Sequence, residues 1–355
     1  MKTRLLVGLY SLALLSVGTS GDHATAQDLQ VVLASSGGTY EKIVRENWLA
    51  PFERATGIKV VVVPSGNTAE RRAQVQAMIV SGNVTWDIFV EGEMDAETPD
   101  HAERAENIDD FCVQFKDRAD LLSRTCTAPG VLFGRGATLI TYNKEHFPNG
   151  GPTTWKEFWD TKSFPGVRAM PAQIDAWRQL TVALLADGVP VKNLYPMDVD
   201  RAFKKLDELR SNVGLWWTSG DQSSQDFRNA EYDAGFMWLT RAMALKNEGQ
   251  PIAWSYHGAL LVGDRYAVVA GAPHKAEALR MLKFFLDSPQ IQARICEALA
   301  CTPPSTDALQ YMSAEARANI PSAEQIKSEM VVPDAKWINA NKTMLIDRWN
   351  AWIQR

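Results

Sequence analysis

Leu29-Gln30-Val31-Val32-Leu33-Ala34-Ser35-Ser36-Gly37-Gly38-Thr39-Tyr40 reads as a buried strand that breaks into a turn of small residues and then enters a helix. Helical spacing continues over 40–56, with Ile43, Trp48 and Phe52 among its apolar positions, until Gly57 stops it. The run 58–63 is a β-branched strand, 64–67 (Pro-Ser-Gly-Asn) a turn, 68–80 a second helix and 86–90 a third strand. Strand–helix–strand–helix–strand implies parallel pairing through right-handed crossovers. Ligands of such sheets bind beyond the carboxyl ends of the strands, which here fall at 35–40, 64–67 and 91–93. The turn at 35–39 lacks both the Walker spacing and the three-glycine dinucleotide fingerprint, so it reads as a strand-to-helix turn, with an anion at the helix start left open.

A second set of strand ends lies far along the chain. Leu215-Trp216-Trp217-Thr218-Ser219-Gly220-Asp221 and Gly235-Phe236-Met237-Trp238-Leu239-Thr240-Arg241 each read as a short apolar strand that ends in Trp and then in polar groups. Ser223 and Ser224 are placed at the start of the intervening helix. Aromatic faces, a carboxylate, a guanidinium and a helix start together describe a site for a small polar molecule, while packing in the core is the alternative for any single Trp.

The remaining elements connect these regions. The extended run 131–142 is interrupted by Gly134 and Gly136, which let a strand bend or cross. Thr154 and Glu157 have capping-box spacing at the start of a helix whose Trp155 and Trp159, one turn apart, suit a core. A strand is expected at 167–170, and helices at 174–186 and 199–209, where Val199, Phe203 and Leu206 share a face. Then follow extended runs at 254–262 and 266–270 and a helix at 273–286. Ser288 and Pro289 open another helix that ends near Ala300, and a helical pattern runs from 313 to the end.

With 355 residues, 46% hydrophobic and 22% charged, the chain has ordinary globular balance and length for two lobes, each with its own core. A net charge of −5 gives no basic footprint for nucleic acid. Residues 1–26 form an export signal: Lys2 and Arg4 lead an apolar run over 5–17, and Ala24-Thr25-Ala26 is the cleavage motif. No Cys follows that run, so the mature chain is expected to begin near Gln27, unanchored. Four cysteines suit disulfides in an exported chain, and proximity favours Cys112–Cys126 and Cys296–Cys301. A zinc site is the alternative, without a Cys-x-x-Cys or a His pair to support it.

Several motifs, in order, match one family: Pro152-Thr153-Thr154-Trp155 through Trp159-Asp160, Phe164-Pro165-Gly166-Val167-Arg168-Ala169-Met170, Gly235-Phe236-Met237-Trp238, and Lys275-Ala276-Glu277-Ala278 before Phe284-Phe285-Leu286 and Ser288-Pro289. Behind an export signal, this order resembles the periplasmic solute-binding proteins of ABC importers, in the branch that includes the spermidine/putrescine-binding proteins. The resemblance implies an α/β, two-lobed type II periplasmic-binding-protein fold, each lobe a mostly parallel sheet flanked by helices, with two crossing strands as hinge. It places lobe 1 at 27–136 and 259–318, and lobe 2 at 137–258 and 319–355. It further implies a small-molecule ligand in the cleft, an inner-membrane permease as partner, no cofactor, no metal and a monomer in the periplasm.

The expected ligand contacts are Ser36, Gly38, Tyr40, Glu91, Trp217, Asp221, Trp238, Arg241 and Trp254. The polyamine pattern is broken at two places. The carboxylate it carries two positions after Trp238 is Thr240 here, and its Trp-x-acidic-Tyr is replaced by Ser36 to Tyr40. Arg241 would repel a polycation yet hold a carboxylate through a two-pronged hydrogen bond, with Asp221, or Glu91, left for an amine. That combination suits an ω-amino acid as well as a polyamine-like solute. A lobe-closing or surface ion pair is the alternative for Arg241. Receptors for a carboxylate or a sugar are further alternatives, as is an exported hydrolase, although no Gly-x-Ser-x-Gly, His-Glu-x-x-His or Ser-x-x-Lys signature supports one.

Overall fold

In the computed structural model, which describes residues 29–35, 37–66, 68–172 and 176–355, the alternation at the start of the chain folds as its periodicity demands. Strand β1 (Gln30–Ser35) pairs in parallel with β2 (Lys59–Pro64) on one side and β3 (Ile88–Gly92) on the other. The export signal and Ser36 lie outside the described residues. The other strands are β4 (Cys126–Thr127), β5 (Gly130–Asn143), β6 (Arg168–Pro171), β7 (Val213–Trp217), β8 (Ala234–Trp238) and β9 (Ile252–Val268). The ladder runs β2-β1-β3-β9-β5-β8-β6-β7, with β4 attached to β5.

Two parallel trios are thus joined by an antiparallel pair. β9 pairs with β3, β5 with β8, and β5 with β9 along their lengths. β6 lies in parallel between β7 and β8. The halves share one continuous ladder, where the family pattern suggests a sheet for each. The cause is length: β5 has 14 residues and β9 has 17, enough to serve both trios. β9 also runs unbroken through Gly263-Asp264-Arg265, where polar residues suggest a gap between two strands. Arg265 keeps its place because its buried guanidinium meets Glu93 on the neighbouring chain segment, 3.1 Å away.

Each half has its own apolar core. Val31, Trp48, Phe52, Phe133, Tyr266 and Phe285 cluster in one, and Trp155, Phe158, Met170, Phe236, Trp349 and Trp352 in the other. The C-terminal helix Lys342–Ile353 belongs to the second: Trp349 and Trp352 stack at 5.3 Å, and Trp216 of the outer strand β7 meets both edge-on. The helical pattern from 313 onward breaks into separate short helices around Pro321 and Pro333, which cannot continue one.

Local signals explain the shared motifs. Thr154 and Glu157 form the capping box, and the helix Trp155–Trp159 that it starts aims the Trp155 indole at β9, where Nε1 donates to the Gly258 carbonyl at 2.7 Å. Arg168 is fully buried and donates to the carbonyls of Phe158, Phe164 and Gly166, so this arginine seals the loop that precedes its own strand. Burial pulls its guanidinium down to about 10. Both favoured disulfides are present, Cys112–Cys126 and Cys296–Cys301, which removes the zinc alternative for these thiols. Among the described residues no helix is long and apolar enough to cross a membrane.

Candidate functional site

The topology turns two sets of carboxyl ends toward each other. β1, β2 and β3 end at Ser35, Pro64 and Gly92; β6, β7 and β8 end at Pro171, Trp217 and Trp238. In the ladder, Gly92 lies opposite Asp264 and Asp264 opposite Gly134; Trp238 lies opposite Thr138 and Thr138 opposite Leu260. The regular pairing from Gly134/Asp264 to Thr138/Leu260 therefore spans the gap. Four steps along an extended strand put the rims about 13 Å apart.

On the second rim, Trp238 ends β8 and starts the helix Leu239–Asn247, which places Arg241 in that helix's first turn. Arg241 Nη1 lies 2.9 Å from Asp221 Oδ1, and the Asp221 side chain is 85% exposed. Sequence reasoning missed the residue that seats this arginine. A Cβ at Gly220 would fall 2.6 Å from Arg241 Nε and 2.8 Å from the Trp238 ring, so only a glycine lets the guanidinium and the indole share that place. The helix Gly220–Arg228 begins there too, capped by Ser219, whose Oγ accepts from Gln222 N. Ser223 and Ser224 are not its start. They are buried one turn inside, donating to the Gly220 carbonyl.

Trp217 is withdrawn from the rim. It is 1% exposed, donates Nε1 to the Phe236 carbonyl at 3.2 Å, and stands edge-on behind Trp238 at 5.5 Å. Trp254 pairs with Thr141, three register positions past the rim, where Lys246 Nζ sits 5.6 Å from its ring centre. These two indoles support the rim, and Trp238 forms it.

The first rim is built from charge. Gly38 opens the helix Gly38–Val44, and half-buried Tyr40 places its hydroxyl 2.9 Å from that of Tyr266. Burial, then the neighbouring Tyr266 and Asp264, push the Tyr40 phenol well up. Arg71 is 1% exposed and ties the strand ends together, donating to Ser65 Oγ at 2.7 Å, to the Val90 carbonyl and to the Gly66 carbonyl at 3.0 Å. Nothing in sequence marked it, since it stands in a helix of polar residues. Glu91 is buried against His101, whose Nδ1 is 2.7 Å away, so it faces a partner rather than the gap. Glu93 accepts from Arg135 of β5 and Arg265 of β9. Burial would raise its carboxyl, but the hydrogen bonds and charges of those arginines outweigh burial and hold it low. Of the expected contacts, Gly38, Tyr40, Asp221, Trp238 and Arg241 come to the rims.

Comparison with known proteins agrees with this architecture. A model of the family described as bacterial extracellular solute-binding protein matches residues 47–323. The gamma-aminobutyric acid-binding protein of Pseudomonas aeruginosa is 29% identical over 343 residues, covering 94% of this chain and 93% of its own. The spermidine/putrescine-binding periplasmic protein of Escherichia coli is 25% identical over 198 residues, 54% of this chain and 55% of the relative. Among solved structures, the PBP AttC of Agrobacterium tumefaciens C58, in an open unliganded conformation, is 53% identical with a TM-score of 0.77, covering 91% of this chain and 99% of that one.

Proposed function

The chain belongs to the bacterial extracellular solute-binding proteins, and on that premise we propose that it captures a small amine-bearing solute in the periplasm and delivers it to an ABC import permease. One observation carries the choice of solute: Arg241 and Trp238 both crowd the place a Gly220 side chain would take, at the strand ends of one rim. A guanidinium and an indole gathered at one glycine offer a fork for a carboxylate and a flat face for methylenes. Asp221 can release it at small cost, because so exposed an ion pair contributes little. An ω-amino acid uses both features, and the P. aeruginosa relative is named for such a compound. The polyamine reading draws on the E. coli relative, over about half of each chain.

Lobes at 27–136 with 259–318, and at 137–258 with 319–355, would close on the solute because only the closed form touches it from both rims. The role is capture without chemistry by a monomer that needs no cofactor, and turnover of any compound by the pure protein would overturn it. The test is a thermal-shift screen against polyamines, amino acids, carboxylates and sugars, in which a true ligand raises the melting temperature with occupancy. Trp238→Ala should then lower affinity for the best hit at least about tenfold with little change in melting temperature. Arg241→Ala should weaken GABA more than putrescine; the reverse ranking favours a polyamine.

A further inference from the structure

We propose that the C-terminal arm, through Asn339 and Lys342, latches the two halves of the molecule across the gap and sets how much of the unliganded receptor stands closed. The inference rests on the closing-receptor reading above and not on the choice of solute. It makes Asn339 and Lys342 positioning residues that touch no ligand.

The path of the arm is the first reason. β5 occupies one edge of β9 across the gap, so Val331, which bridges Leu260 in parallel, lies on the other edge, the one that β3 takes up further along. Gly258 N donates to the Glu329 carbonyl at 2.8 Å, and Leu261 N to the Val331 carbonyl at 2.9 Å. Parallel pairing means that residues 329–331 run as β9 runs, from the second half toward the first. The helix Ala335–Ala340 then meets the turn that follows β3. There Asn339 Nδ2 donates to the Met94 carbonyl at 2.9 Å, and Lys342 Nζ lies 3.3 Å from Asp95 Oδ1. The helix Lys342–Ile353 carries the chain back to the second core, against which the Met94 side chain also packs.

The second reason is how each side of the contact is held. The arm is fixed to its own half: Ile338 is buried in the second core, and Trp337 packs against that core with its ring 5.8 Å from that of Tyr195. Asp334 starts the helix by accepting from Trp337 N at 2.9 Å. On the other side, the groups that the arm touches already have partners in the first half. The Met94 carbonyl also accepts from Glu97 N at 3.3 Å, and Arg72 Nη1 lies 2.6 Å from Asp95 Oδ1. Release of the arm therefore orphans neither acceptor. Lys342, partly exposed, can return to water at small cost.

The third reason gives the contact its sense. Met94 and Asp95 lie just past the carboxyl end of β3, on the side of the first half that faces the gap, and the arm reaches them from the second half. Closure narrows that space and opening widens it, so the contact belongs to the closed arrangement. It then favours closure before any solute arrives. A receptor whose competent form is more populated binds every solute more tightly, and by the same factor.

The test compares the mature protein with the double variant Asn339→Ala/Lys342→Ala. Without ligand, small-angle X-ray scattering should give the variant a larger radius of gyration than the wild type; equal radii overturn the proposal. In titration calorimetry, GABA and putrescine, where the wild type binds them, should each bind about 5- to 10-fold more weakly, as loss of one hydrogen bond and one exposed ion pair implies. The ratio of their affinities should not change. Weakening of one amine alone would put these residues in contact with ligand and overturn the latch, as would affinities within about twofold of wild type. A wild type that binds neither amine removes the amine-receptor reading, and the scattering comparison then decides the latch by itself. Should the double variant not fold, Asn339→Asp takes its place under the same readings, since it keeps the shape and turns the donor that faces the Met94 carbonyl into an acceptor.

Discussion

The two rims of the gap are made of opposite materials. The first is a lattice of buried charge: Arg71 roped to strand ends, Glu91 against His101, and Glu93 between two arginines of the crossing strands. The second is aromatic, Trp238 backed by Trp217, with its one ion pair standing in solvent. Buried charges are costly to move because each must keep its partner. An exposed pair can exchange partners for very little. The contrast suggests a fixed electrostatic socket facing an adjustable aromatic clamp.

Removing a buried partner should cost most. Glu93→Ala leaves Arg265, whose side chain is fully buried, without its carboxylate, and should lose about 2–4 kcal/mol in urea unfolding, below the upper range for buried pairs because Glu93 is partly exposed. A loss under about 1 kcal/mol would mean the first rim is no more rigid than the second. Because the Glu93 carboxyl is held low, its contribution is present above its unfolded pKa and disappears as pH falls through the folded value, so wild type and Glu93→Ala should converge in acid. Gly220→Ala tests the clamp: the added methyl must displace Arg241 or tilt Trp238, costing about 1–2 kcal/mol and weakening the ligand. If stability and affinity both stay unchanged, neither the guanidinium nor the indole needs its place beside Gly220. Asp221→Ala should be the mildest, under about 0.5 kcal/mol in the unliganded protein; a loss above about 1 kcal/mol would make that pair structural.

The fold was legible because its signals are periodic and local. The alternation over 29–90, the glycines of 131–142 and the capping box at Thr154 each act within one element, and each appears where its spacing puts it. The rim aromatics were half legible. Trp217 and Trp238 both end strands, and only the packing of β8 against β5 and the cover of the helix Gly220–Arg228 decide that one is wall and the other surface. The helix start was misplaced because Ser223 and Ser224 resemble a cap, while the working pair is Ser219 with Gln222, whose carboxamide reaches back to Thr218 N. Arg71 and Asp264 were silent. A lone arginine in a polar helix and an aspartate after a glycine look solvated until the register of β9 against β3 brings them to one rim.

The Cys296–Cys301 bridge ties this architecture to the redox state of its sulfurs. A Cβ on Gly134 would meet Cys301 Sγ at 3.0 Å and Cys296 Sγ at 3.3 Å, so the linked sulfurs are wedged against β5 at the point where it leaves the first half. Two unlinked thiols need more room than a bonded pair, and a side chain at Gly134 would already crowd the bonded sulfurs. Reduction would press two larger, unlinked sulfurs against that strand, so the bonded pair is the form that fits beside the crossing.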